Sequence, residues 1–238
     1  ALQHEDFESF KIELFHDQPE APYYFAQMKK LNKIERPLLT SVPQHPIIRL
    51  DEIPAESIIV DTRSKFDFAK GHIPTSINIQ NNKSLANWAG WMLPYDKPLV
   101  IIAEAPMHEE ITRKLMRIGM DNIEAFVLEV EGELVKGEIV NAEEVAQQIQ
   151  DENTTLLDVR SAVEYRKGHI PGAKHHFVGK LAKQLPAEDK DRPIIIQCQA
   201  GDRATIASSY LMRHGFTDVK TYIGSMQDWL AKKYPVTT

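Results

Sequence analysis

The chain has 238 residues, 42% of them hydrophobic, which is enough for one large core or two smaller ones, so we expect two domains. A formal net charge of −6 argues against binding to nucleic acid or to an anionic membrane. No apolar run approaches the ~20 residues that span a bilayer, and the acidic Glu5, Asp6 and Glu8 do not fit a signal peptide. A single cysteine fits a reducing compartment, so we expect a soluble, cytoplasmic protein with a free thiol.

The first 45 residues differ from the rest of the chain because they belong to no repeat. Pro22 can start a helix in the stretch 21–32. The apolar side chains of this helical segment need a surface to bury against, and packing on the following domain is the plainest interpretation. The apolar residues that precede this stretch are Phe7, Phe10, Ile12, Leu14 and Phe15.

Two parts of the chain repeat each other. The motif Asp61-Thr62-Arg63 is followed, ten residues after the aspartate, by Gly71-His72-Ile73-Pro74. Asp158-Val159-Arg160 precedes Gly168-His169-Ile170-Pro171 with the same spacing. The repeat predicts two homologous domains, 46–136 and 137–238, because repeated units fold alike. It continues with 96–103 against 191–198 and with 115–119 against 211–215.

The second domain alternates helix and strand signals. Asn141 and Glu144 form a capping box at a helix start, and Ser161 caps a later turn. Residues 194–196 are isoleucines and predict a central parallel strand, because both of its faces are buried. The alternation predicts an α/β fold in each domain, a mostly parallel sheet with helices on both faces. The other predicted elements are a strand at 156–157, a helix at 203–214 ended by Gly215, a strand at 219–222 and a helix at 226–230.

Cys198 falls at the carboxyl end of the central strand, where parallel sheets bind ligands. The loop after it is Gln199-Ala200-Gly201-Asp202-Arg203, and a helix follows. Such a turn can aim backbone N–H groups at one atom and so favour the thiolate, the reactive form of cysteine. Gly201 permits a sharp turn, and Arg203 can bind an anionic substrate or hold the loop. An inert buried cysteine is the alternative, but this setting favours a nucleophile.

The segments 158–160, 168–173 and 198–203 together resemble the rhodanese, or thiosulfate sulfurtransferase, superfamily over residues 140–235. The resemblance implies that Cys198 carries a persulfide cradled by the substrate-binding loop 199–203. It implies transfer from thiosulfate or a low-molecular-weight persulfide to a thiol or sulfite acceptor, without a metal. Phosphatases of this fold have one more loop residue, so the Cys-x4-Arg spacing disfavours them.

Asp158 and Arg160 are expected to have structural roles near the site. Asp158 can bind backbone groups of the next turn, and Arg160 has the spacing of a helical ion pair with Glu164. His169 is expected to maintain the fold, because its turn also occurs in the domain that has no cysteine.

The first domain has Ala103 at the position of the nucleophile. Pro106 removes a backbone donor from the following loop, and Glu104 puts a carboxylate where an anion would bind. We therefore expect an inactive domain kept for packing, docking or shaping the neighbouring active site. Glu104 and His108 are expected to be solvated loop residues, and a functional role for them is the alternative.

Residues 1–45 resemble the C-terminal tail of metallo-β-lactamase-fold persulfide dioxygenases, and the domain order matches fusions of these enzymes to an inactive and an active rhodanese domain. This resemblance implies a sulfide-detoxifying fusion whose iron-binding domain lies outside this chain. None of the nine histidines forms a metal-binding motif, and the adjacent His175 and His176 would point apart, so no metal is expected here. A persulfide relay or docking module is the alternative function, and the oligomeric state is left open.

Overall fold

The computed structural model describes residues 6–15, 18, 21–36 and 38–238. Glu5, used above in the signal-peptide argument, lies outside them. Two helices, α1 (Phe7–Phe15) and α2 (Tyr24–Leu31), precede two α/β domains. This is the fold class that the sequence predicts, and the domain boundaries at residues 45 and 136 stay predictions.

The first domain contains a four-stranded, all-parallel sheet in the order β2-β1-β3-β4. All four residues of β3 are buried, because β3 lies inside the sheet. The strands are β1 (Ile58–Asp61), β2 (Ile77–Asn78), β3 (Leu99–Ile102) and β4 (Ile123–Val127), and the helices are α3 (Lys65–Lys70), α4 (Leu85–Met92) and α5 (His108–Met116).

The second domain contains a five-stranded, all-parallel sheet in the order β5-β9-β8-β6-β7. The isoleucine strand β8 is central and fully buried, which confirms the prediction from its apolar faces. The strands are β5 (Glu138–Ile139), β6 (Thr155–Asp158), β7 (Lys174–His175), β8 (Ile194–Gln197) and β9 (Val219–Thr221), and the helices are α6 (Ala142–Gln148), α7 (Ala162–Lys167), α8 (Asp202–Arg213) and α9 (Ser225–Ala231).

The helix starts predicted at Asn141 and Ser161 are confirmed. The Asn141 side chain accepts the N–H of Glu144 at 3.0 Å, and the Glu144 carboxylate accepts the N–H of Asn141 at 2.7 Å. Ser161 and Glu164 form the same reciprocal cap at the start of α7. These bonds satisfy N–H groups that a helix start otherwise leaves without partners.

The two domains share a large hydrophobic core, which contains buried side chains from both sheets, and each domain also has a smaller separate cluster. Helix α8 lies between the sheets, and eight consecutive residues, 204–211, are buried because β2 of the first domain covers its second face. The N–H of Asn78 donates to the Ser209 hydroxyl at 3.0 Å, and Arg213 donates to the Thr75 carbonyl at 2.6 Å. The first domain is therefore packed directly on the helix that follows the cysteine loop.

The N-terminal segment packs on the first domain through α2 and the residue before it. A Cβ added to Gly90 would lie only 2.3 Å from the Tyr24 ring, and the rings of Tyr23 and Trp91 are 4.9 Å apart. Helix α1 buries none of its residues, and Phe7 and Phe15 are 72% and 64% exposed. The packing prediction is thus correct for α2, whereas most apolar side chains of α1 stay exposed and do not meet it.

Among the helices of the described ranges, none is both long enough and apolar enough to cross a bilayer.

Candidate active site

Cys198 directly follows β8 and is almost completely buried, with 1% of its surface exposed. The first turn of α9 holds its backbone from the opposite side of the loop. The N–H of Cys198 donates to the Ser225 hydroxyl at 3.0 Å, and its carbonyl accepts the N–H of Met226 at 3.1 Å. Because both backbone groups are bound, the direction of the Cα–Cβ bond is fixed.

The sulfur atom receives a backbone hydrogen bond from within its own loop. The N–H of Gly201 donates to Cys198 Sγ at 3.1 Å, and the Ser225 hydroxyl oxygen lies 3.7 Å from the same atom. Gly201 is one of the N–H donors that the strand–loop–helix pattern predicts. Such a donor stabilises negative charge on sulfur.

Glycine is required at position 201 for two separate reasons. Its φ of +94° lies in the left-handed region that side chains with a Cβ rarely adopt. A Cβ added there would also lie 2.4 Å from the carbonyl oxygen of Ile223, which is backbone and cannot move away cheaply. The chain turns sharply at this residue and brings its N–H to the sulfur.

Arg203 forms a two-pronged ion pair with Glu164 of α7, with N–O distances of 2.6 and 2.7 Å. The predicted pair between Arg160 and Glu164 is therefore wrong, because Arg160 turns inward to Asp158 and leaves Glu164 to the loop. Burial alone would raise the pKa of Glu164, but the hydrogen bonds and charge of Arg203 lower it to about 2. Arg203 thus fastens the cysteine loop to α7.

Asp158 and Arg160 form a buried pair beneath the site. The Asp158 carboxylate accepts the backbone N–H of Arg160 at 3.0 Å and its guanidinium at 2.7 Å. Arg160 also donates to the Gly168 carbonyl at 2.7 Å, which ties the end of β6 to the turn before β7. In the first domain Asp61 and Arg63 make the same contacts, so this arrangement does not require a cysteine.

The histidine of each Gly-His-Ile-Pro turn has the same surroundings. The Nδ1 of His169 bonds to the Tyr165 carbonyl at 3.0 Å, and its ring stacks on Tyr165 at 3.7 Å. His72 bonds to the Phe68 carbonyl at 3.0 Å and stacks on that ring at 3.8 Å. Each ring holds the end of a helix against the turn that follows it. Neither histidine is a hydrogen-bond partner of the Cys198 sulfur.

The loop after Ala103 lacks the features of the cysteine loop. Glu104 is exposed, as the sequence predicts, and the chain continues through a short 3-10 turn. His108 is not a solvated loop residue: it starts α5, its Nε2 bonds to the Ala103 carbonyl at 3.1 Å, and its ring stacks on Phe126 at 3.8 Å. The prediction for His108 is wrong because β4 offers it an aromatic surface.

The first domain contributes a residue to the cysteine loop that the sequence does not reveal. The Lys65 ammonium donates to the Ala200 carbonyl and, at 2.9 Å, to the Asp202 carboxylate. Asn82 donates to the other oxygen of that carboxylate at 3.3 Å. Lys65 aligns with Ala162 in the repeat. This difference between the domains is the only feature of the sequence that could have indicated the contact.

The adjacent histidines His175 and His176, which are not expected to bind a metal, each form a hydrogen bond with a backbone carbonyl. The Nε2 of His175 bonds to the Arg160 carbonyl at 2.8 Å, and that of His176 to the Gln184 carbonyl at 3.0 Å. Within the residues that the structure describes, no three His, Cys, Asp or Glu side chains are grouped so as to hold a metal ion. That this chain works without a cofactor stays a prediction.

Comparisons with known proteins identify the family. The rhodanese-like domain family matches the chain twice, at residues 49–129 and 141–232. The thiosulfate sulfurtransferase GlpE of Pseudomonas fluorescens is 34% identical over 86 residues, which are 36% of this chain and 79% of that protein.

Two solved structures are also similar. A metallo-beta-lactamase from Staphylococcus aureus is 32% identical, covering 53% of this chain and 36% of that chain, with a TM-score of 0.47. The human single domain sulfurtransferase TSTD1 is 26% identical, covering 41% of this chain and 98% of that chain, with a TM-score of 0.38. Since the two family matches together span well over half of its residues, the chain belongs to the rhodanese-like domain family.

Proposed function

We propose that the chain is a sulfurtransferase in which Cys198 carries sulfur as a persulfide between a small donor and a thiophilic acceptor. The observation that carries the proposal is the position of Cys198 at the end of β8, with the Gly201 N–H 3.1 Å from its sulfur. This geometry supplies a nucleophile together with a donor for its negative charge.

Transfer takes two displacement steps. The Cys198 thiolate attacks the outer sulfur of the donor, the donor S–S bond breaks, and a thiolate or sulfite leaves with the electron pair. The new Cys198 persulfide is then attacked at its outer sulfur by an acceptor thiolate or by sulfite. The acceptor keeps that sulfur and the Cys198 thiolate is regenerated, so no separate oxidant, reductant or metal is needed.

Both thiosulfate and low-molecular-weight persulfides are proposed donors. The name of the GlpE relative supports thiosulfate. The charges around the loop support persulfides. Arg203 is paired with Glu164 and Lys65 with Asp202, so these four groups are neutral in sum and offer no net positive charge to bind the thiosulfate anion.

We place this activity in cytoplasmic sulfide detoxification, as part of a fusion with a metallo-β-lactamase-fold persulfide dioxygenase domain. The domain order and the sequence of residues 1–45 support this setting. Iron would belong to that other domain, and the loop around Cys198 would act without it.

A persulfide relay to a partner protein is the second candidate. The exposed apolar side chains of α1, among them Phe7, Ile12 and Phe15, favour it, because a protein partner can bury them. A relay would transfer sulfur quickly only to its partner, whereas an enzyme turns over with sulfite, cyanide or free thiols.

Mass spectrometry of the intact protein tests the proposal. After incubation with thiosulfate or glutathione persulfide, we expect an adduct of one sulfur atom on the wild type and none on Cys198→Ser. Absence of the adduct with every donor would refute persulfide carriage by Cys198. Turnover with sulfite or cyanide then separates the enzyme from the relay.

A further inference from the structure

The first domain lacks a nucleophile, yet its Lys65 reaches the cysteine loop of the second domain. The Lys65 side chain is only 16% exposed and lies where the domains meet. Its ammonium donates to the Ala200 carbonyl and to the Asp202 carboxylate. This is a direct contact between the inactive domain and the candidate active site.

The position of Lys65 is fixed within its own domain. It is the first residue of α3, whose start is capped by the Ser64 hydroxyl, which accepts the N–H of Asp67 at 3.1 Å. The N–H of Lys65 donates to the Gln80 side chain at 3.0 Å. Because both ends of this turn are held, the ammonium is presented to the loop by a fixed backbone.

The Ala200 carbonyl and the Gly201 N–H are the two ends of one peptide group. Lys65 binds the carbonyl end, and the N–H end donates to Cys198 Sγ at 3.1 Å. A cation on the carbonyl polarises the peptide and strengthens the hydrogen bond that its N–H makes, because linked hydrogen bonds reinforce one another. The contact also fixes the orientation of the peptide plane, so that the N–H stays directed at the sulfur.

We infer that Lys65 is a positioning residue through which the inactive domain promotes the reactivity of Cys198. It acts through the Ala200–Gly201 peptide and does not touch the sulfur. The inference rests on the proposed role of Cys198 as nucleophile. Asp202 has an accessory part, since it takes a second hydrogen bond from the ammonium and is itself bound by Asn82. Ala162 occupies the equivalent position in the second domain, so the contact runs in one direction only.

The test compares Cys198 alkylation by iodoacetamide at neutral pH in full-length variants. Lys65→Met removes the charge and keeps the length of the chain, and we expect the alkylation rate to fall about three- to tenfold. Lys65→Arg keeps a donor cation and should restore most of the rate. Lys70→Met, on the same helix but 77% exposed and paired with Asp67, is the matched control and should alkylate at the wild-type rate.

Sulfur transfer gives a second readout: kcat should fall in Lys65→Met, because the peptide that Lys65 polarises stabilises negative charge on the Cys198 sulfur less well. If Lys65→Met alkylates as fast as the wild type or faster, the inference is wrong. If that variant does not fold, Lys65→Gln keeps a neutral donor and should show the same slowing. Absence of a persulfide adduct in the wild type would overturn the proposed function. If the wild type does form the adduct but Lys65→Met alkylates at the wild-type rate, only this inference is overturned.

Discussion

Cys198 and Ala103 lie at equivalent ends of equivalent buried strands. The same strand end therefore carries a thiol in one domain and none in the other. What surrounds the thiol differs as much as the residue itself. Gly201 supplies an N–H to the sulfur, and Ser225, with an unusual φ of +54°, receives the N–H of Cys198. Strain of this kind persists where the surrounding structure holds the residue in place, as it does here at the start of α9.

Replacing Gly201 with alanine should abolish most sulfur transfer. The left-handed φ alone costs about 1 kcal/mol, and the added Cβ would meet the Ile223 carbonyl at 2.4 Å, so the loop must shift and withdraw its N–H. We expect persulfide formation at least about tenfold slower and a loss of roughly 1–3 kcal/mol in the free energy of unfolding. Stopped-flow sulfur transfer and urea unfolding measure the two effects.

Gly172→Ala is the matched control for this prediction. Gly172 has a similar φ of +80°, but no atom of the residues that the structure describes lies within 4 Å of its added Cβ. It should show only the cost of the left-handed backbone, with transfer unchanged. If both variants lose transfer to the same extent, the contact with Ile223 is not what matters.

At the scale of elements, the Arg203–Glu164 pair joins the start of α8 to the first turn of α7. The matching carboxylate in the first domain, Asp67, pairs with Lys70 on its own exposed helix surface. At this repeat position, the carboxylate of the second domain therefore holds the cysteine loop, whereas the carboxylate of the first domain only forms an ion pair on the exposed surface of its own helix.

The stability that this pair provides should depend on pH. The pKa of Glu164 is lowered to about 2 in the folded protein from 4.5, so its contribution is present above pH 4.5 and is lost as pH falls toward 2. Because Glu164 is one-third exposed, we discount the contribution to about 1–2 kcal/mol. Glu164→Gln should lie below the wild type in urea unfolding at neutral pH, and the difference should shrink as the pH approaches about 3.

Asp67→Asn provides the comparison for this pH series. Hydrogen bonds from Lys70 and Ser64 also lower the pKa of Asp67, but the group is exposed, and solvent weakens such pairs. The unfolding free energy of Asp67→Asn should therefore differ little from that of the wild type at any pH. A Glu164→Gln deficit that stays constant down to pH 3 would show that lost packing, and not the ion pair, is responsible.

At the scale of the whole molecule, the two domains behave as one packing unit. Trp91 of the first domain is nearly buried and meets Phe177 of the second edge-on, with ring centroids 5.3 Å apart. Helix α8 belongs to the second domain by sequence and is covered by β2 of the first. Separating the domains would expose this shared core to water, which is unfavourable.

Thermal unfolding of the full chain should therefore show a single cooperative transition in calorimetry, with equal calorimetric and van't Hoff enthalpies. Trp91→Ala, at the joint between the domains, should cost about 3–5 kcal/mol and broaden or split the transition. Trp229→Ala removes an equally buried ring from the separate core of the second domain and should lower the midpoint without uncoupling the domains. Two resolved transitions in the wild type would contradict a shared core.

The sequence by itself determined the tandem α/β architecture, the helix starts at Asn141 and Ser161, the central strand β8, and Cys198 as the candidate nucleophile. These features follow from short-range physics: capping bonds span three residues, strand burial shows in runs of isoleucine, and a repeat exposes a missing cysteine directly.

Only the tertiary structure decided which charged groups meet. Glu164 and Arg203 are 39 residues apart, and Lys65 and Asp202 are 137 apart, so no local spacing indicates either pair. The spacing of Arg160 and Glu164 suggested a helical pair, but the buried Asp158 holds Arg160. Likewise, the apolar composition of α1 predicts burial, and only the packed domains show that most of its side chains stay exposed. Long-range electrostatics and packing depend on how the two domains are set against each other, which composition and periodicity do not specify.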